Sequence, residues 1–309
     1  MLTRRLRLEG PGLSGTWVNG PLLREVLTIL IDGSQRALRI RTQGRSTARG
    51  ALPDWIASAT EFSVQIQEGS TVFEIESPSL LDAAPNEFRQ DQLFPEIDPT
   101  RPAIDYLVDS LEAALREDNR TALYDGPFLK FLSRLEGIFD HGVSNVEFSR
   151  VDRQPGTVLQ IRSPSISQLR RLESRIPPPQ RVNVAGKLDT IRHSDRTFSL
   201  SLGGDHQIRG IAEHCEDLQA FWGKDVFVSG TAHFTVSGSV QRIDADSLRL
   251  ASERDLSLFA SEPVPVTRPL EAHELRRPQG PRSGLNAIFG KWPGEESDDE
   301  IADVLRALS

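Results

Sequence analysis

Between Arg181 and Ser252 the chain passes through five short segments in which apolar and polar residues alternate. "RVNVAGKLDTIRH", "RTFSLSLG" and "HQIRGIAE" come first, followed by the helix-like "EDLQAFWG", then "KDVFVSGTAHFTVSG" and "SVQRIDADSLRLAS". Alternation with period two marks a strand with one buried face. The order is therefore β-β-β-α-β-β over about seventy residues. Gly186, Gly210 and Gly230 interrupt these strands where a small barrel needs sharp curvature.

This order resembles the OB-fold, a five-stranded closed barrel with a helix between its third and fourth strands. A small SH3-like barrel is the nearest alternative. The resemblance is one of pattern and carries no diagnostic motif.

Upstream, residues 20–162 read as mixed α and β. "GPLLREVLTILI" places proline at the first helical position, followed by Leu22, Leu23, Val26, Leu27 and Leu30. "ALRIRT" alternates and reads as a strand, with Leu38 and Ile40 on one side and Arg39 and Arg41 on the other. "PDWIASAT" reads as a short helix. "EFSVQIQEGSTVFEIESPS" reads as two strands around Glu68-Gly69-Ser70, and the proline-punctuated "LLDAAPNEFRQDQLFPEIDPTRP" as a connector. Ala103 to Arg116 carries the stripe Ile104, Leu107, Val108, Leu111 and Leu115 of an amphipathic helix. "DGPFLKFLSRLEGIF" reads as a further helix, "SNVEFSRVD" and "GTVLQIRS" as a hairpin, and "SISQLRRLESRI" as a helix ending at Pro177-Pro178-Pro179.

The triple proline sets the expected domain boundary. The sequence thus implies an α+β chain with a mixed domain at 1–176, an OB-like barrel at 181–260, a Pro/Arg-rich linker at 261–283 and a tail with a short helix at 284–309. A length of 309 residues suits about two domains. The net charge of −8 argues against bulk attraction to nucleic acid or an anionic membrane. The single cysteine, Cys215, forms no intrachain disulfide, which fits a reducing compartment. The basic start from Met1 to Arg7 lacks the apolar core of a signal peptide, and no apolar run approaches the ~20 residues of a membrane span. A cytoplasmic location is expected.

No catalytic constellation stands out, so no enzymatic activity and no cofactor is expected. There is no Gly-Lys-Ser or Gly-Lys-Thr phosphate loop. "HSDRTFSLSLGGDH" gathers Ser, Asp and His, but triads are assembled in space from distant segments. His141, His193, His206, His214, His233 and His273 lack metal-ligand spacing, so no metal site is expected. Arg36, Arg39, Arg41, Arg45 and Arg49 form a basic run, and Arg39, Arg41 and Arg45 are its candidate nucleic-acid contacts. A solvated edge strand leaves the same footprint, and the acidic chain favours that reading. Phe198, Phe227 and Phe234 fall on predicted strands where bases could stack, although the alternation of Phe198 with Leu200 and Leu202 marks it as core.

The tail, "GLNAIFGKWPGEESDDEIADVLRALS", is more explicit. Ser297 and Glu300 form a capping box, with Asp298 and Asp299 in the first turn where the helix dipole favours negative charge. Ile301, Val304, Leu305 and Leu308 then make an apolar stripe. A helix of about eleven residues is marginal alone in water, so its stripe needs a covering surface. Ile288, Phe289 and Trp292 add large apolar groups before the Pro293-Gly294 turn. Either the chain's own barrel or a partner protein could provide the cover.

"FGKWPGEESDDEIADVLRALS" resembles the C-terminal tails of bacterial antitoxins encoded beside PIN-domain ribonuclease toxins. The resemblance covers the last part of the chain only. The small DNA-binding N-terminus usual in that family is not visible. The resemblance implies a PIN-domain toxin as partner, with Phe289, Trp292, Ile301, Val304, Leu305 and Leu308 as anchors. It also implies that Lys291, or Arg282, approaches the toxin's acidic metal site. The alternative is a nucleic-acid-binding module built on the barrel and the arginine run.

Overall fold

The computed structural model describes residues 1–266 apart from 12, 14–16, 49, 68–70, 89–96, 152–155, 193–195, 204–205 and 213–217. By its contacts the chain divides into Met1–Arg268 and Pro269–Ser309.

The first strand, β1, spans Leu2–Glu9 and was not among the elements expected from sequence. Arg4, Leu6 and Leu8 on it are buried, while Arg7 faces solvent. Helix α1 runs from Gly20 to Gln43, with Pro21 in its first turn. The expected strand at "ALRIRT" is therefore helical, which corrects the reading of Arg39 and Arg41 as one exposed strand face. Val26, Leu30, Gly33, Ala37 and Ile40 are all buried and recur at intervals of four and three, so the helical period continues through the segment. Gly33 permits close packing: a Cβ there would lie 2.9 Å from the Leu107 side chain.

Helix α2 (Asp54–Ala59) leads to the antiparallel strands β2 (Ser63–Gln67) and β3 (Thr71–Ser77). The expected connector contains two short helices, α3 (Leu80–Ala83) and α4 (Pro85–Phe88). Ser79 caps the first by accepting from the Asp82 N–H at 3.1 Å. Helix α5 spans Ala103–Leu115. The single helix expected next is two, α6 (Gly126–Leu132) and α7 (Leu135–Asp140). Between them the Ser133 hydroxyl donates to the Leu129 carbonyl at 3.0 Å, a back-bond that bends helices. Strands β4 (Asn145–Arg150) and β5 (Gly156–Arg162) pair as the expected hairpin, and α8 covers Ser163–Arg175.

These strands form one antiparallel five-stranded sheet in the order β2-β3-β1-β4-β5. Its apolar face joins α1, α5, α6 and α8 in one core that includes Leu6, Phe73, Leu107, Phe128 and Leu169.

The barrel comprises β6 (Gln180–Arg192), β7 (Thr197–Ser201), β8 (Gln207–Ile211), β9 (Asp225–Phe234) and β10 (Val240–Leu250). A 3₁₀ turn at Leu218–Phe221 lies between its third and fourth strands. The sheet closes in the order β10-β8-β7-β6-β9, with β8 and β10 parallel and β9 returning to β10. This topology is OB-like. The three glycines singled out above admit close neighbours: a Cβ would meet the Ser201 carbonyl at Gly186, the Phe198 ring at Gly210 and the Asp244 carbonyl at Gly230. Opposite Gly230 the β9–β10 register shifts between Ala245 and Ser247, a bulge that helps bend the sheet. Helix α9 (Glu253–Phe259) follows, capped by Ser252 and Asp255.

Candidate functional site

Arg282, Phe289, Lys291, Trp292, Ile301, Val304, Leu305 and Leu308 lie outside the described residues, as do the expected linker beyond 266 and the short C-terminal helix. Of the sequence-predicted positions, the structure describes Arg39, Arg41 and Arg45. They sit where the end of α1 meets the barrel.

A helix end leaves its last carbonyls unsatisfied and partly negative. Here three barrel arginines supply donors. Arg192 at the end of β6 donates to the Thr42 carbonyl at 2.7 Å. Arg209 on β8 donates to the carbonyls of Arg41 at 3.2 Å and Ile40 at 3.4 Å. Arg242 on β10 donates to the Gly44 carbonyl at 3.1 Å. Gly44 ends the helix in the left-handed conformation, with φ 69°, and its N–H donates to the Ile40 carbonyl. Gln241 adds bonds to the carbonyls of Tyr124 and Ala122, so the barrel also holds the segment before α6.

Arg242 is oriented in turn by Asp244, through Nε–Oδ1 at 2.9 Å, and His233 Nε2 meets the other carboxylate oxygen at 2.9 Å. Desolvation alone would raise the Asp244 pKa. The bonds from His233 and Arg242 outweigh it and hold the group well below the usual carboxylate range. A carboxylate whose folded pKa lies below its unfolded value of about 4 stabilises the fold above that pH. The contribution fades as pH falls through the folded value. Asp244→Asn is expected to lower the melting temperature by a few degrees at pH 7, and its deficit against the parent chain is expected to shrink in acid. Thermal melts at pH 7 and in the acid range check this; a deficit independent of pH contradicts it.

On the other side of α1, Arg41 meets Asp109 at 3.6 Å and lies 5.3 Å from the Tyr106 ring centre. Arg101 binds Asp109 at 2.9 Å and Asp105 at 3.5 Å, and sits 4.9 Å from the same ring. Arg4 reaches Asp105 from β1 in a bidentate pair at 2.6 and 2.8 Å. The enclosed Tyr106 hydroxyl donates to the Asp98 carbonyl at 2.7 Å, and burial pushes its pKa up to about 12. Burial would lower the Arg101 pKa, but the hydrogen bond and charge of Asp109, with Asp105, raise it above the ordinary value. Arg101, Asp105 and Asp109 recur every fourth residue, a charge pattern visible in the sequence that places the two aspartates on one face of α5 and Arg101 just ahead of its start. Arg192, Arg209 and Arg242 had no comparable local signal.

Arg39 and Arg41 are each only 7% exposed. Contact between this pair and a nucleic-acid backbone would require the junction to open. Phe198, Phe227 and Phe234 offer no open stacking platform. Phe198 and Phe234 are buried in the barrel core. Phe227 lies edge-on to Phe259, with ring centres 5.5 Å apart, and the Arg249 guanidinium lies 4.1 Å from the Phe227 centre.

His193, His214, His273 and Cys215 are outside the described residues, whereas His206 meets Glu262 at 3.0 Å. Among the described residues no group of three or more His, Cys, Asp or Glu side chains could hold a metal ion. No helix among them is long and apolar enough to cross a membrane.

No family model matches the chain, and neither a curated protein nor a solved structure matches it. The class is defined by the fold itself: an α+β protein in which an OB-like barrel is joined through arginines to a helix-covered sheet.

Proposed function

We propose that the chain is an antitoxin-like protein whose C-terminal segment, 284–309, binds and neutralises a PIN-type ribonuclease. The reading is carried by the sequence of that segment. It has a complete helix-start device at Ser297–Glu300 and an apolar stripe on a helix too short to stand alone. Two features of the body support it. The barrel is already closed strand to strand, so it has no vacant edge for a further strand. The division of the chain falls between Arg268 and Pro269, ahead of the segment.

In this reading Phe289 and Trp292 anchor the partner, Ile301, Val304, Leu305 and Leu308 lie in an apolar groove on it, and Lys291 reaches its acidic site. Arg282 is the other candidate for the acidic site. The body presents the segment and performs no chemistry of its own.

The experiment compares the full chain with a chain lacking 284–309 against a PIN-type ribonuclease encoded beside it. The full chain is expected to suppress RNA cleavage. The shortened chain is expected to lose suppression while melting at the same temperature. Trp292→Ala alone is expected to weaken binding by about thirtyfold or more, the usual effect of losing an aromatic anchor. Retained suppression, or a shortened chain with a clearly lower melting temperature, rejects the reading.

A further inference from the structure

The first half of α1 is apolar on more than its core-facing side. Seven of the ten residues from Leu22 to Ile31 are apolar. Leu22, Val26, Ile29 and Leu30 are buried in the core. Leu23, Leu27 and Ile31 recur every fourth residue outside that face, where each is half-buried and lines an open groove of about 350 Å³. A helix that is apolar on most of its sides calls for cover on each of them.

The other edge of the groove is a second row at the same spacing, Arg24, Thr28 and Asp32. Among the described residues, neither Arg24 nor Asp32 makes an ion pair or a side-chain hydrogen bond. The two lie four positions either side of Thr28 and carry opposite charges, so the face is its own complement when reversed. A two-fold axis crossing the helix beside Leu27 and Thr28 opposes residues equally far from it. Leu23 then meets Ile31 of the second copy, Leu27 meets its own counterpart, and Arg24 meets Asp32 of the second copy in two equivalent places. A parallel arrangement would set Arg24 against Arg24, and a purely apolar partner would desolvate both charges without pairing them.

We propose that this face of α1 pairs two copies of the chain, antiparallel about a two-fold axis. From Gly20 to Asp32 the paired stretch is about 18 Å long. One helix pair of that length falls in the small, reversible class of interfaces, with a dissociation constant on the order of 10 µM. The pairing is independent of the C-terminal segment and of any ribonuclease.

The test is sedimentation equilibrium of the full chain over roughly 1 to 500 µM, a range that brackets the expected constant. The parent is expected to pass from monomer to dimer. Leu27→Glu, which sets a carboxylate against its own copy at the centre, is expected to weaken association by about thirtyfold or more. Arg24→Asp opposes Asp to Asp at both contacts, Asp32→Arg opposes Arg to Arg, and each alone is expected to weaken association by about tenfold. An equimolar mixture of these two single variants is expected to regain the parent's association as a mixed dimer, because both contacts again join opposite charges. That rescue separates a lost contact from a misfolded chain. A parent that stays monomeric throughout the range overturns the proposal. So does an association that Leu27→Glu leaves intact, or a pair of charge variants that regain nothing on mixing.

Discussion

Asp105→Ala is expected to lower the free energy of unfolding by about 3–5 kcal/mol, the cost of stranding one member of a buried ion pair. Asp105 and Arg4 have side chains only 4% and 9% exposed and share two hydrogen bonds. Without the carboxylate, the Arg4 guanidinium is left between the sheet and α5. It retains a bond to the Thr3 carbonyl at 2.9 Å, while Arg101, also a ligand of Asp105, becomes a like-charged neighbour. For a chain of this size the loss corresponds to a fall in melting temperature of about 10 °C. The pair's own net worth is much smaller, because both groups were desolvated to form it. The double variant Arg4→Met/Asp105→Leu is therefore expected to recover most of the loss. Urea unfolding of the three chains checks this. A double variant no better than Asp105→Ala would mean that the pair itself supplies the stability.

Gly210→Ala is expected to cost about 3 kcal/mol, at the upper end of overpacking penalties, although it adds one methyl group. Gly210 pairs with Phe198 across β7 and β8, and the ring lies over its backbone. A Cβ at this position would sit 2.1 Å from the ring tip and 2.5 and 2.6 Å from the atoms beside it. Phe198 is 3% exposed and belongs to the closed barrel core, so the ring cannot swing away without opening a void there. Phe198→Leu alone is expected to cost about 1–2 kcal/mol through the cavity it leaves. Because the smaller side chain makes room for the methyl, the double variant is expected to lose clearly less than the sum of the two single losses. Denaturant unfolding of the four chains gives the coupling directly; strict additivity contradicts this packing account.

The succession of barrel elements along the chain, the paired strands β2–β3 and β4–β5, and α5 could be read from sequence because each rests on local signals. Alternation, turn residues and a helical stripe lie within a few residues of one another. The glycine positions were legible for the same reason. β1 was missed although Leu6 and Leu8 alternate with arginines, because the basic run at the chain start masked a strand that is completed by β3 on one side and β4 on the other. The "ALRIRT" segment fits both periods over six residues. Its helical state becomes visible only when Val26, Leu30 and Gly33 are read together with Ala37 and Ile40.

The tail's helix grammar, the succession of the barrel's elements along the chain and the number of arginines near the end of α1 are properties of the sequence alone, since each depends on neighbours along the chain. Tertiary structure decided which arginines acquire an anion. Arg41 meets an aspartate on α5, Arg4 meets another from a strand about a hundred residues away, and Arg39 is buried with the Ala51 carbonyl as its hydrogen-bond partner. A charge's worth depends on which groups surround it and how far water is excluded, and those neighbours converge only when the chain is folded.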